Sequence, residues 1–150
     1  MRPNARLTYA LRALVELGLR QGTGPVTMAV IAKRQGIPLR SLEQLFNRLR
    51  RKGLVEAERG PRGGYRLRLV PGEIPIRTIF EILQPTGAGG RGAKRSLPKG
   101  NGSHDPARVV WQQVQKAVQS TLEATTLDDL IEQARAQEGA PIRHRFTFHI

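Results

Sequence analysis

The sequence predicts a mainly α-helical chain carrying one small β-hairpin, and three observations support this. Apolar residues recur at three- and four-residue spacing through most of the chain, as on the buried faces of amphipathic helices. One stretch alone reads as paired strands, Leu54, Val55 and Ala57 answered by Tyr65-Arg66-Leu67-Arg68-Leu69 across the turn Arg59-Gly60-Pro61-Arg62-Gly63-Gly64. The most regular helical pattern, Leu39 to Lys52, immediately precedes that hairpin.

In order, Leu7, Ala10, Leu11, Leu14, Val15 and Leu17 form an apolar stripe over roughly 6–20, ended by Gln21-Gly22-Thr23-Gly24-Pro25. Thr27 is placed to cap a short second helix, Met28 to Gln35, with Val30, Ile31 and Ala32 expected inward. Gly36 allows a sharp turn into the third helix. There Leu39, Leu42, Leu45, Phe46 and Leu49 share a face and leave Arg40, Ser41, Glu43, Gln44, Asn47, Arg48, Arg50 and Arg51 mostly off it. Gly53 provides the left-handed stop, and Arg50, Arg51 and Lys52 suit the negative end of the helix dipole. A short helix, a glycine turn, a longer cationic helix and a hairpin with a basic tip compose a winged helix-turn-helix.

Pro71-Gly72 closes the hairpin, and Ile76, Ile79, Phe80, Ile82 and Leu83 predict a helix over about 74–83. Residues 84–104 change to Gly, Pro, Arg, Lys and Ser and are expected to form a long basic loop, either a further nucleic-acid contact or a solvated linker. Asp105-Pro106 opens a long helix to about Glu123. Its seam of Val110, Trp111, Val114, Ala117, Val118, Thr121 and Leu122 can cover its own domain or pair with a second copy. Pairing is preferred, because matched half-sites give small readers affinity. Thr126-Leu127-Asp128-Asp129 resembles a capping box opening a short helix to about Gln137, and the tail alternates in a way that suits a strand or docking segment. The expected division is 1–83 for the winged domain, 84–104 for the loop, 105–138 for the dimerisation helix and the helix after it, and 139–150 for the tail.

The formal charge is +13, and its placement says more than its size. Residues 1–70 hold fifteen Lys/Arg against four acids, whereas 71–150 hold ten against eight. Cations concentrated where the helix-turn-helix lies favour a double-stranded DNA partner, since counterion release from phosphates supplies most non-specific affinity. A basic RNA-binding or nucleoid-type protein is the alternative, but it needs stacking aromatics, and only Phe46 and Tyr65 lie near the basic face. No Ser-His-Asp set, phosphate-binding loop or cofactor motif supports an enzyme. The absence of cysteine excludes disulfides and thiolate ligands, and His104, His144 and His149 are too scattered for a metal site. No apolar run approaches a membrane span and the start is no signal peptide, so a cytoplasmic location is expected.

Several segments also resemble the Rrf2 family of bacterial transcription regulators. They are Tyr9-Ala10-Leu11-Arg12-Ala13-Leu14, Leu42-Glu43-Gln44-Leu45-Phe46 with Leu49-Arg50, Gly53-Leu54-Val55, Arg59-Gly60-Pro61 with Gly63-Gly64-Tyr65-Arg66-Leu67, and Thr125-Thr126-Leu127-Asp128-Asp129-Leu130. The resemblance implies a homodimer whose long helix crosses to its partner, a recognition helix in the major groove and a wing in the minor groove. It places Arg40, Ser41, Glu43 and Gln44 at the base-reading positions and Arg59 at the wing. The full DNA-contacting set expected is Thr27, Arg40, Ser41, Glu43, Gln44, Asn47, Arg48, Arg50, Arg59, Gly60, Pro61, Arg62 and Gly63. Cluster-bearing members hold iron through three cysteines and an accessory ligand. This chain has none of the three, and Arg108 stands where IscR-like members carry a histidine. The cluster-free CymR branch is the nearer match on Ala107-Arg108 leading into Trp111, the Thr-Leu-Asp-Asp segment and the tail. That likeness implies no cofactor, with control by a sulfur-metabolism enzyme or a small-molecule effector.

Overall fold

A computed structural model describes residues 5–84 and 106–138. The helices α1 (Ala5–Leu19), α2 (Met28–Gln35) and α3 (Leu39–Arg51) are followed by an antiparallel hairpin, β1 (Val55–Glu58) and β2 (Gly64–Leu67). A 3₁₀ turn at Pro71–Glu73 leads into α4 (Ile76–Leu83), and α5 (Pro106–Ala124) and α6 (Leu127–Glu138) complete the described chain. The mainly helical winged helix-turn-helix expected from the sequence is the fold observed.

The core forms where the amphipathic faces meet. Ala10, Ala13, Leu14 and Leu17 of α1 pack with Leu42, Leu45, Phe46 and Leu49 of α3, closed by Leu54, Val55, Leu67, Ile74 and Ile79. Two expectations on the helical faces are corrected. Leu39 is exposed, because it lies about 70° round the helix from the centre of the buried face of α3 and in its first turn. Val30 is also exposed, leaving Ile31 as the one fully buried residue of α2. The second strand ends at Leu67 rather than Leu69, whose side chain is exposed beyond the last strand pair, Val55↔Leu67. The fourth helix starts at Ile76, since the 3₁₀ turn occupies Pro71–Glu73 and Pro75 supplies its N-cap.

Leu127 and Ile131 of α6 are buried in the same cluster as α1 and α3. Gly18 makes room for Ile131, whose side chain occupies the space a Cβ at 18 would need. The helix α6 therefore packs within the N-terminal core, although the sequence groups it with the long helix. Its start is built as the capping box requires, with Thr126 N–H donating to Asp129 Oδ2 at 2.8 Å and Asp129 N–H donating to Thr126 Oγ1 at 3.3 Å. The backbone fixes the α5–α6 junction to the start of α4. Ile76 N–H donates to the Thr125 carbonyl at 2.9 Å and Leu127 N–H to the Ile74 carbonyl at 2.8 Å. Arg77 bridges Glu81 on its own helix and Glu123 on α5. By contrast α5 has no buried residue of its own. The expected basic loop and tail lie outside the described residues, apart from Gln84. No helix among the described residues is long and apolar enough to cross a membrane.

Candidate nucleic-acid interface

The interface is assembled on α3, whose sequence separates an apolar from a cationic face more sharply than any other segment. At about 100° per residue, Arg40, Gln44, Asn47 and Arg51 fall opposite the buried Leu42–Leu45–Phe46–Leu49 face. Glu43 and Arg50 flank them on one side, Ser41 and Arg48 on the other. Arg40, Glu43, Gln44, Asn47, Arg50 and Arg51 are exposed, while Ser41 and Arg48 are half-buried. Arg48 Nη1 donates to the Leu83 carbonyl at 3.4 Å, so part of that guanidinium serves the end of α4. Arg51, outside the contact set expected from the sequence, is exposed on the same outward face. Its i+11 spacing from Arg40 was the signal that places it on the outward face.

The helix is aimed by what precedes it. Thr27 caps α2, its hydroxyl accepting the Val30 N–H at 3.3 Å, and Gly36 turns the chain with φ +63°. Glu16 then ties α1 to α2. It is buried among apolar neighbours, accepts from Arg20 at 2.8 Å and Gln35 at 2.9 Å, and pairs with Arg34 at 3.2 Å. Burial alone would raise its carboxyl, but the hydrogen bonds from Arg20 and Gln35 and the charges of Arg20 and Arg34 outweigh it. The pKa is held below the ordinary carboxylate value.

The wing is fixed to this assembly twice. Tyr65 meets Phe46 edge to face with ring centroids 4.8 Å apart at 75°, joining β2 to α3. Val26 and Tyr65 exchange backbone hydrogen bonds of 2.9 and 2.8 Å, extending the hairpin by one bridge ahead of α2. Gly64 is required there: a Cβ would lie 2.6 Å from the Val26 carbonyl carbon and oxygen. Gly63 serves the turn itself, its N–H donating to the Gly60 carbonyl at 2.9 Å, and a Cβ there would collide with the Glu58 carbonyl oxygen. Arg59, Gly60, Pro61 and Arg62 stand exposed at the tip, Gly60 with φ +114° and open space around it.

The ion pairs sort the cations. Arg20 and Arg34 pair with Glu16, and Arg66 pairs with Glu56 at 2.6 Å and Glu58 at 3.8 Å. Among the described residues Arg40, Arg50, Arg51, Lys52, Arg59, Arg62 and Arg68 make no ion pair. Arg12, Lys33, Arg48, Arg108 and Lys116 make none either, so most, though not all, of the uncompensated charge among the described residues sits on α3, its end and the wing, where an external polyanion would neutralise it.

On α5, Val110, Trp111, Val114, Ala117 and Thr121 are exposed, as is Val109 beside them. Val118 is half-buried, and half-buried Leu122 packs against the molecule's own core.

Residues 4–133 match the Rrf2 family, described as "Iron-dependent Transcriptional regulator". The HTH-type transcriptional regulator IscR of Aliivibrio salmonicida (strain LFI1238) is 33% identical over 138 residues, covering 92% of this chain and 82% of that protein. The solved structure of IscR from T. potens has TM-score 0.76 at 30% identity, covering 95% of this chain and 93% of that one. CymR, the global cysteine regulator of B. subtilis, has TM-score 0.73 at 31% identity, covering 89% and 98%. Identities this similar do not separate the two branches. The iron in the family description requires ligands, and an iron–sulfur cluster is held chiefly by thiolates. These 150 residues contain no cysteine, and among the described residues no three His, Cys, Asp or Glu side chains converge. His104, His144 and His149 lie outside the described residues. The donor set does not fit such a cluster. By the span of the match and the identity with its members, the chain belongs to the Rrf2 family of transcriptional regulators.

Proposed function

We propose that this protein is a sequence-specific DNA-binding regulator that acts as a homodimer and carries no iron–sulfur cluster. The carrying observation is the concentration of unpaired cations on α3 and the wing, held in fixed relation by the Phe46–Tyr65 contact and the Val26–Tyr65 bridge. In this reading α3 lies in the major groove. Arg40 is suited to a guanine edge, Gln44 and Asn47 to adenine, and Glu43 to a cytosine amino group. Arg59 and Arg62 enter the adjacent minor groove, where narrow, electronegative segments attract arginine. Arg50, Arg51 and Arg68 neutralise phosphates. The exposed stripe of α5 pairs with that of a second copy and sets the spacing of two half-sites.

Control then enters through differential binding of a partner or metabolite to competent and incompetent dimers. A sulfur-metabolism enzyme is the first partner to test, because CymR is named as a cysteine regulator and shares the fold at 31% identity. The test of the DNA reading is a footprint on the region upstream of the protein's own gene. Protection of an inverted repeat there is expected, and uniform coverage without a boundary would replace this reading by non-specific nucleic-acid binding.

A further inference from the structure

The first turns of α1 and one flank of α3 enclose a concavity of about 410 Å³. Arg6 and Tyr9 line it from α1, and Ser41, Gln44, Arg48 and Arg51 line it from α3. No carboxylate is among its lining residues. With Asn47, which also lines it, three guanidiniums, a phenol, a hydroxyl and two amides border one space, a donor set suited to phosphate recognition. Arg48 is partly immobilised by the Leu83 carbonyl, which leaves further N–H donors on the same guanidinium. Neither Arg48 nor Arg51 is ion-paired among the described residues, so their mutual repulsion is left for an outside anion to relieve.

The position identifies the anion. Gln44 and Arg51 belong both to this lining and to the outward face of α3, so the concavity opens beside the surface that would enter the groove. A helix seated in a major groove runs between two sugar–phosphate backbones. We infer that this concavity receives a backbone phosphodiester of the operator, a contact made by α1 outside the helix-and-wing footprint. The inference rests on the DNA-binding reading above and adds a third phosphate-binding element to it.

The test is an operator duplex in which single flank phosphates are replaced by neutral methylphosphonates, bound by the wild type and by Arg6→Gln. Arg6 is exposed, so the variant keeps the fold, which circular dichroism checks. At one phosphate per half-site the wild type should lose about tenfold in affinity, the scale of one charge-assisted hydrogen bond, while Arg6→Gln should lose clearly less there because one of the donors is already gone. Its slope of log affinity against log salt should be shallower by about 1.8, about 0.9 for each half-site, with base preference unchanged. Tyr9→Phe should remove a smaller part of the same effect. An unaltered salt slope and methylphosphonate profile in Arg6→Gln, alongside a shallower slope in Arg59→Gln, would overturn the site while leaving the DNA reading intact. Failure of the wild type to bind any duplex would overturn both. Saturable binding of AMP or inorganic phosphate that Arg6→Gln abolishes, with the methylphosphonate profile unchanged, would assign the site to a free phosphate and overturn the operator contact.

Discussion

Replacing Val110 and Val114 with glutamate should abolish the dimer without unfolding the chain. Val110 is 56% and Val114 42% exposed, so about half of each side chain remains to be covered. Full burial of a valine contributes about 1.5–3 kcal/mol, which leaves roughly 1 kcal/mol per half-exposed side chain. A two-fold interface counts each position twice, so losing both residues removes about 4 kcal/mol, a thousandfold in Kd. Burying unpaired carboxylates on the same axis adds several kcal/mol more. Val118 and Leu122 are half-buried within the single chain and are left unchanged so that helix content is not put at risk. Light scattering at micromolar concentration should show a monomer, with unchanged helical circular dichroism and a large loss of operator affinity. A dimer of undiminished stability would refute the assignment and move the interface off α5.

Three further outcomes follow from particular contacts. Glu16→Gln should cost about 1–2 kcal/mol at neutral pH, reduced from the value for a fully buried pair because Arg20 and Arg34 remain 31% and 54% exposed. Because the folded carboxyl titrates below its ordinary value of 4.5, the wild-type advantage should be present above that pH and fade as pH falls through the folded pKa. Urea titrations of both proteins across acidic pH check the sign, and a difference that grows on acidification would contradict it. Gly64→Ala should cost roughly 1–3 kcal/mol by forcing β2 away from Val26, and should weaken operator binding as well. Unchanged denaturation and binding curves would show that the Val26–Tyr65 approach is not needed. Protein purified without oxygen and supplied with iron and sulfide should stay colourless and bind its operator equally before and after, whereas stable visible absorption would refute a cluster-free regulator.

Local signals carried most of the fold. The α3 face, the left-handed Gly53, the Thr27 cap and the Thr126–Asp129 capping box are each written within a few residues, and the structure contains all four. What sequence reasoning missed depends on pairings across distance. An acid inside the apolar stripe of α1 gave no sign that Arg34 and Gln35 would meet it. The bridge between Val26 and Tyr65 joins segments that are separate in any periodicity argument, and so does the seat of Ile131 on Gly18. Val30 and Leu39 were misplaced because an apolar side chain at helical spacing can lie at the edge of a buried face. The candidate interface is legible in its residue types, but the pairing of Arg20, Arg34 and Arg66, and the arginine-lined surface between α1 and α3, depend on how the chain folds.

The central claim is that α3 reads bases while the surrounding arginines hold phosphates, and a binding selection over a randomised operator tests it most directly. The wild type should enrich an inverted repeat. Glu43→Ala with Gln44→Ala should lose about 1–3 kcal/mol of discrimination at each affected base pair, relaxing those positions in both half-sites, while retaining its salt dependence. An enriched sequence identical to that of the wild type would contradict the claim.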